Sequence, residues 1–417
     1  MMGFLVILKD ISTRGKRVHR EGIISCINTF QIITTMVFCF LIALCIIVLG
    51  LFISDRMKKF LLSREDYFYI LPDQNTSIMS LSDDRKLSSF SSSSSRFEDW
   101  VAPPKDLWHS MSDDELMWRA SMAPNVEEYP YNRTPKVAFM FLARGRLPLG
   151  PLWERFFKGH DPTLYSIYLH CSPDFTEEPP ESSVFYKRRI PSKVVEWGKA
   201  SMIDAERRLL ANALLDFSNE RFVLLSETCI PLFDFLTIYK FLVSSKYSFI
   251  SSFDDPRPIG RGRYNKRMWP TLSISDWRKG SQWFETQRKI AVGLISDRKY
   301  YPVFVTHCKP PCYMDEHYMA TLVNKQNPEM NSNTSITWVD WTTGGSHPKT
   351  FLRRDISETF LNQIRYDSVN CSYTGNNSRS YSYCFLFARK FHPSTLEPLL
   401  RITPKLFGLD PKEYTKL

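Results

Sequence analysis

Residues 136–146 read KVAFMFLARGR, an almost unbroken apolar run that ends in an Arg-Gly-Arg loop. A strand with one wet face alternates apolar and polar residues. This one does not, so it is expected to lie buried on both faces. Residues 149–157 then suit a helix, and 165–170 (YSIYLH) a second strand. A longer helix opens at Ser201, read as its cap, with Asp204 in the reciprocating position and Met202, Ala205, Leu209, Ala213 and Phe217 on one stripe. Residues 222–225 and 247–250 read as two more buried strands. Such alternation predicts an α/β domain around a mostly parallel sheet, over residues 135–417. In such sheets ligands bind beyond the carboxyl ends of the strands.

Upstream the composition changes. Residues 54–134 contain a serine run at 88–95 and the prolines Pro103, Pro104 and Pro124, which reads as a stem. One short helix, capped by Ser112, is expected within it. Residues 32–53 hold twenty-two residues without a charge. As a helix they would span roughly 30 Å, the thickness of a bilayer core. They read as the single membrane anchor, with residues 1–31 as a cytosolic tail. Basic residues flank both sides, Lys9, Arg14, Lys16, Arg17 and Arg20 before and Arg56, Lys58, Lys59 and Arg64 after, so charge alone barely orients it. The Asn-x-Ser/Thr sequons at Asn75, Asn132, Asn333, Asn370 and Asn376 all follow the anchor. Both signals favour a type II protein whose large domain lies in an oxidising lumen.

The formal net charge of +10 suits an anionic ligand such as a nucleotide diphosphate or an acidic glycan. No nucleic-acid-binding motif occurs. Of nine cysteines, Cys26, Cys39 and Cys45 lie in or beside the anchor; Cys171, Cys229, Cys308, Cys312, Cys371 and Cys384 could form lumenal bridges. Cys371 and Cys384 flank a polar loop and are the expected pair.

The densest cluster of reactive side chains is His307, Cys308, Cys312, Asp315, Glu316 and His317. It reads as a zinc site, as the acidic start of a helix, or as a general base at a pocket mouth. Spacing alone leaves the three open.

Several stretches taken together resemble the core-2/I-branching β-1,6-N-acetylglucosaminyltransferase family in its plant-type branch. They are 136–157 (KVAFMFLARGRLPLGPLWERFF), 200–214, 221–232, 251–268 (SSFDDPRPIGRGRYNKRM), 276–291, 310–321 (PPCYMDEHYMAT), 337–351 (TWVDWTTGGSHPKTF) and 384–400 (CFLFARKFHPSTLEPLL). The resemblance implies a GT-A-type fold, inverting transfer from a UDP-sugar to a glycan or glycoprotein, no metal cofactor, and a Golgi membrane location. It makes Glu316 the base, with Asp315 capping the following helix. Lys390 and Arg365 would hold the donor diphosphate in place of a divalent cation. Nucleotide contacts fall at Phe141, Leu142, Arg144 and Ser172. The last stands where animal members carry an acidic residue, with Asp174 a shifted substitute. The acceptor would meet Asp255, Arg263, Tyr264, Lys266, Trp338 and Trp341.

Two other readings stay open on sequence. A lumenal binding or scaffold protein could keep the fold without the chemistry. A metal-dependent transferase could use Asp254 and Asp255, although this pair is DD rather than DxD, and Glu227 alone makes a poor cation cage.

Overall fold

The computed structural model describes residues 101–124, 128–366 and 383–407, with isolated positions at 36, 38, 40, 42, 97, 373, 374, 380 and 381. Strand β1 (Lys136–Leu142) lies between β2 (Tyr165–His170) and β3 (Asn219–Ser226), parallel to both. β5 (Glu285–Gln287) adds an antiparallel edge on β3, giving the order β2-β1-β3-β5. The unbroken apolar run of β1 is explained by two cores. Val137, Phe139 and Phe141 enter one, while Ala138 and Met140 enter the other. Residues of β3 divide the same way, Val223 and Leu225 against Phe222 and Leu224. Period-two alternation is present, but both faces are apolar because both are covered.

The first core is closed by α2 (Gly150–Phe157), α4 (Phe235–Ser244) and α9 (Leu396–Leu406), where Phe139 meets Phe156 and Phe157 edge-on. The second is closed by α3 (Ala200–Leu214), α5 (Arg288–Ser296), α6 (Tyr301–His307) and α7 (Tyr318–Gln326). A small sheet, β4 (Ile230–Pro231), β9 (Phe387–Arg389) and β6 (Thr337–Val339), sits on the first core in the order β4-β9-β6. α8 (Glu358–Tyr366) contributes Leu361 and Ile364 there, and β7 (Tyr373–Thr374) pairs antiparallel with β8 (Ser380–Tyr381).

Three local expectations change. Helix α3 starts two residues early, with Lys199 rather than Ser201 at its N-cap, and that N-cap has no side-chain bond. Ser201 instead accepts the Glu196 N–H, and Asp204 bonds the Tyr301 hydroxyl. Residues 247–250 make only isolated bridges, Ser248 with Asn331 and Phe249 with Glu285. The Tyr247 carbonyl, which a ladder would need, accepts instead from the Arg221 guanidinium at 2.7 Å. The helix expected inside the stem does form, as α1 (Asp113–Ala120), with Ser112 in a complete capping box. It belongs to the folded body, however. Leu116, Met117 and Ala120 are buried in the second core, and Asp113 pairs with the buried Arg208 of α3.

Residues 32–53 lie outside the described residues except for Met36, Phe38, Phe40 and Ile42, which are helical and exposed. Among the described residues no helix is long and apolar enough to cross a membrane.

Candidate active site

Three loops leave the carboxyl ends of the parallel strands together. Arg144 follows β1 and Ser172 follows β2; the Ser172 N–H donates to the Arg144 carbonyl at 3.2 Å, and both residues are exposed. Glu227 follows β3. Phe141, expected to touch a nucleotide, does not present its side chain. It is fully buried, edge-on to Trp153 and Phe185. Leu142, half-buried, packs on the second core. The phase of β1 is the cause: its last residues point into the layers, and only the loop beyond them reaches the cleft.

Glu316 ends a 3-10 turn, Met314–Glu316, that leads into α7. Its Oε2 takes two cations, Arg263 Nη1 at 2.5 Å and Lys279 Nζ at 2.6 Å. Burial by itself would raise this carboxyl, but Lys279 and Arg263 outweigh it and hold the pKa below the usual glutamate value. Its carbonyl is tied to the Gly280 N–H at 2.8 Å. Only glycine fits there, because a Cβ would stand 2.0 Å from the Ser251 carbonyl oxygen. Asp315 faces inward. It is buried, its Oδ1 has no partner, and burial followed by the Glu316 charge raises its pKa to about 6. It gives α7 no cap bond, contrary to expectation.

The zinc reading fails on the same segment. Cys308 and Cys312 form a disulfide, and His317 is buried against Trp277, its Nδ1 donating to the Arg278 carbonyl at 2.8 Å.

Lys390 follows β9. Burial, then neighbouring Arg389, lowers its pKa, and Arg144 and Glu227 also act on it. Arg389 lies over the Trp283 ring at 4.1 Å. Arg144, Arg389 and Lys390 therefore concentrate positive charge where β1, β3 and β9 end. Arg365, the expected second diphosphate ligand, is not brought there. It lies 4.4 Å over the Phe233 ring and bonds Asn362 at the end of its own helix.

The core-2/I-branching enzyme family model matches residues 137–365. The chain belongs to the core-2/I-branching enzyme family. A relative in rice, Oryza sativa subsp. japonica, named glycosyltransferase BC10, is 37% identical over 308 residues, covering 64% of this chain and 76% of the relative. The protein is thus a glycosyltransferase, and its mixed α/β architecture with a mostly parallel sheet fits a GT-A-like domain.

Within this core-2/I-branching enzyme the expected acceptor residues divide. Arg263 reaches the site through Glu316. Asp255 is buried and clamped bidentately by Arg257, and Asp254 pairs with Arg261, so both carboxylates are spent on shaping the 254–263 loop. The Tyr264 hydroxyl donates to the Leu272 carbonyl at 2.6 Å, and its ring packs edge-on to Trp277. Trp338 stacks on Phe351 at 5.7 Å and joins the core, whereas Trp341 is 48% exposed. Lys266 is exposed on a short 3-10 turn.

Of the sequons, Asn132 and Asn333 are exposed, while Asn75, Asn370 and Asn376 lie outside the described residues. Cys384 is disulfide-bonded; Cys371 lies outside the described residues. Sequence reasoning held Lys279 only within the 276–291 stretch, without seeing that it grips Glu316. It missed Trp197, Tyr313 and His347 altogether, for no spacing rule links positions so far apart in the chain.

Proposed function

We propose that this glycosyltransferase moves a sugar, N-acetylglucosamine on the family's pattern, from a UDP-sugar to a glycan or glycoprotein hydroxyl. Transfer inverts the anomeric centre and uses no metal. The protein works in the Golgi as a single-pass type II membrane protein. One observation carries the chemistry: a shielded, ionised carboxylate, Glu316, is joined through a line of ring contacts to the cation group of Lys390, Arg389 and Arg144. Contacts link the two sides, Arg263 with Tyr313, Tyr313 with Trp197, and Trp197 with His347 beside Lys390.

In the reaction Glu316 takes the proton of the acceptor hydroxyl. That oxygen forms a bond to the anomeric carbon as the bond from that carbon to the diphosphate oxygen breaks. Lys390 and Arg144 meet the charge that develops on the leaving diphosphate. Arg263 and Lys279 both engage Oε2. They keep the base ionised and oriented, and neither of them engages Oε1.

The test is UDP release from a panel of UDP-sugars by the purified full chain, with and without EDTA, for wild type and Glu316→Gln. Turnover should survive EDTA and fall by about 10²–10⁴-fold in the variant, the usual contribution of a positioned base. Loss of turnover in EDTA would sink the metal-free reading. A Glu316→Gln enzyme as fast as wild type would remove Glu316 as the base.

A further inference from the structure

Between the base and the cation group the cleft is walled by rings. Arg263, which pairs with Glu316, lies 4.7 Å from the Tyr313 ring centre. Tyr313 stands 5.0 Å from Trp197 at 44°, and Trp197 stands 5.1 Å from His347 at 51°. Burial, then the charges of Lys390, Arg389 and Arg144, holds the His347 pKa below its ordinary value, so these cations border the same space. None of the three rings is core. Trp197 is 50% exposed, His347 is exposed and Tyr313 is half-buried.

The backbone is adapted to hold them. Gly198 has φ +74°, and a Cβ there would stand 2.9 Å from Tyr313 Cδ1. Tyr313 itself has φ +50°, and the Cys308–Cys312 bridge closes the loop immediately before it. Positive φ at a tyrosine is costly, and such conformations gather where a ligand must be met. Trp197, half exposed, keeps ring surface open to solvent.

We propose that Trp197, Tyr313 and His347 form a shelf for the pyranose ring of the transferred sugar, with Trp197 as its main surface. A pyranose presents C–H groups on one face, which pack on an aromatic π face, while its hydroxyls need polar partners that a neutral His347 supplies. The transferred ring is the occupant, rather than the acceptor, because of where the shelf lies. In an in-line displacement that ring sits between the attacking oxygen beside Glu316 and the leaving oxygen beside Lys390, and the three rings span this interval. The inference rests on the proposed transfer reaction and adds the residues that recognise its donor sugar.

UDP, which lacks the ring, separates the contributions. Full-chain Trp197→Ala and Trp197→Phe are compared with wild type for donor KM, acceptor KM and inhibition by UDP, with melting temperature as the control for folding. Trp197→Ala should raise donor KM on the order of tenfold, an aromatic contact's worth of affinity. UDP inhibition should stay within about twofold of wild type, and Trp197→Phe should restore most of the donor affinity. An unchanged donor KM, a rise in acceptor KM instead, or an equal loss for UDP would each overturn the shelf while leaving the transfer reaction standing. A wild-type enzyme that releases UDP from no UDP-sugar would overturn both.

Discussion

Asp315 and Glu316 are adjacent carboxylates with opposite fates, and the difference is their partners. Glu316 meets Arg263 and Lys279; Asp315 turns into the protein with one oxygen unpaired. Burial raises the Asp315 carboxyl from 3.8 to about 6. A raised acid pKa means the folded chain binds more protons than the unfolded chain between these values. Stability therefore falls as pH rises through this window, and the full penalty is present above pH 6. Asp315→Asn should then raise the melting temperature at pH 7.5 and change it little near pH 4, an effect of about 1–3 kcal/mol at the higher pH. Thermal melts across pH 4–8 check the sign. Activity has its own signature. The Glu316 pKa is held below 4.5, so the acid limb of kcat/KM should fall below pH 4.5.

At the scale of elements, α1 shows how a helix inside a stem-like segment becomes part of the body. Its cap was legible, since Ser112 followed by Glu115 is a local signal that acts within one turn. Its role was not, because the residues that receive Leu116 come from α3 and α5, far along the chain. Leu116→Ala should cost about 2–4 kcal/mol in denaturant unfolding, the range for a fully buried leucine. Trp118→Ala on the same helix, 65% exposed, should stay within about 0.5 kcal/mol. The four-residue stretch 247–250 illustrates the opposite case. It has strand composition but little ladder, because Arg221 takes the carbonyl that pairing would have used. The β3–β5 pair needs this arginine for Glu285, a fully buried carboxylate whose pKa burial pushes up to about 7 despite the ion pair.

Over the whole molecule, the cleft is assembled from chain ends of separate elements: the loop after β1, the turn before α7 and the residue after β9. Lys390 and Arg365, grouped by resemblance, are given different surroundings by the fold. Lys390 borders Arg144 and Glu227, while Arg365 lies on Phe233 near Asp234. Lys390→Ala should therefore weaken UDP binding by about tenfold or more, as removal of a charge-assisted contact does. Arg365→Ala should change it by less than about twofold and lower the melting temperature instead. Calorimetric titration of UDP into both variants decides this.

What the sequence determined by itself was whatever acts over short range or by continuous pattern. The apolar run of β1 requires a sheet covered on both faces, and Ser112 requires a helix start. The ordered set of motifs identifies the family and, with it, makes Glu316 and Lys390 the candidates for base and diphosphate ligand. The tertiary structure alone decided which side chains share a space. It buried Phe141, clamped Asp255 with Arg257, oxidised Cys308 with Cys312 and brought Trp197, Tyr313 and His347 into ring contact. The reason is physical: strand phase and helix caps are local, but charge pairing and ring contact depend on distance in space. Residues 197, 313 and 347 acquire that proximity only once the two cores have closed around the sheet.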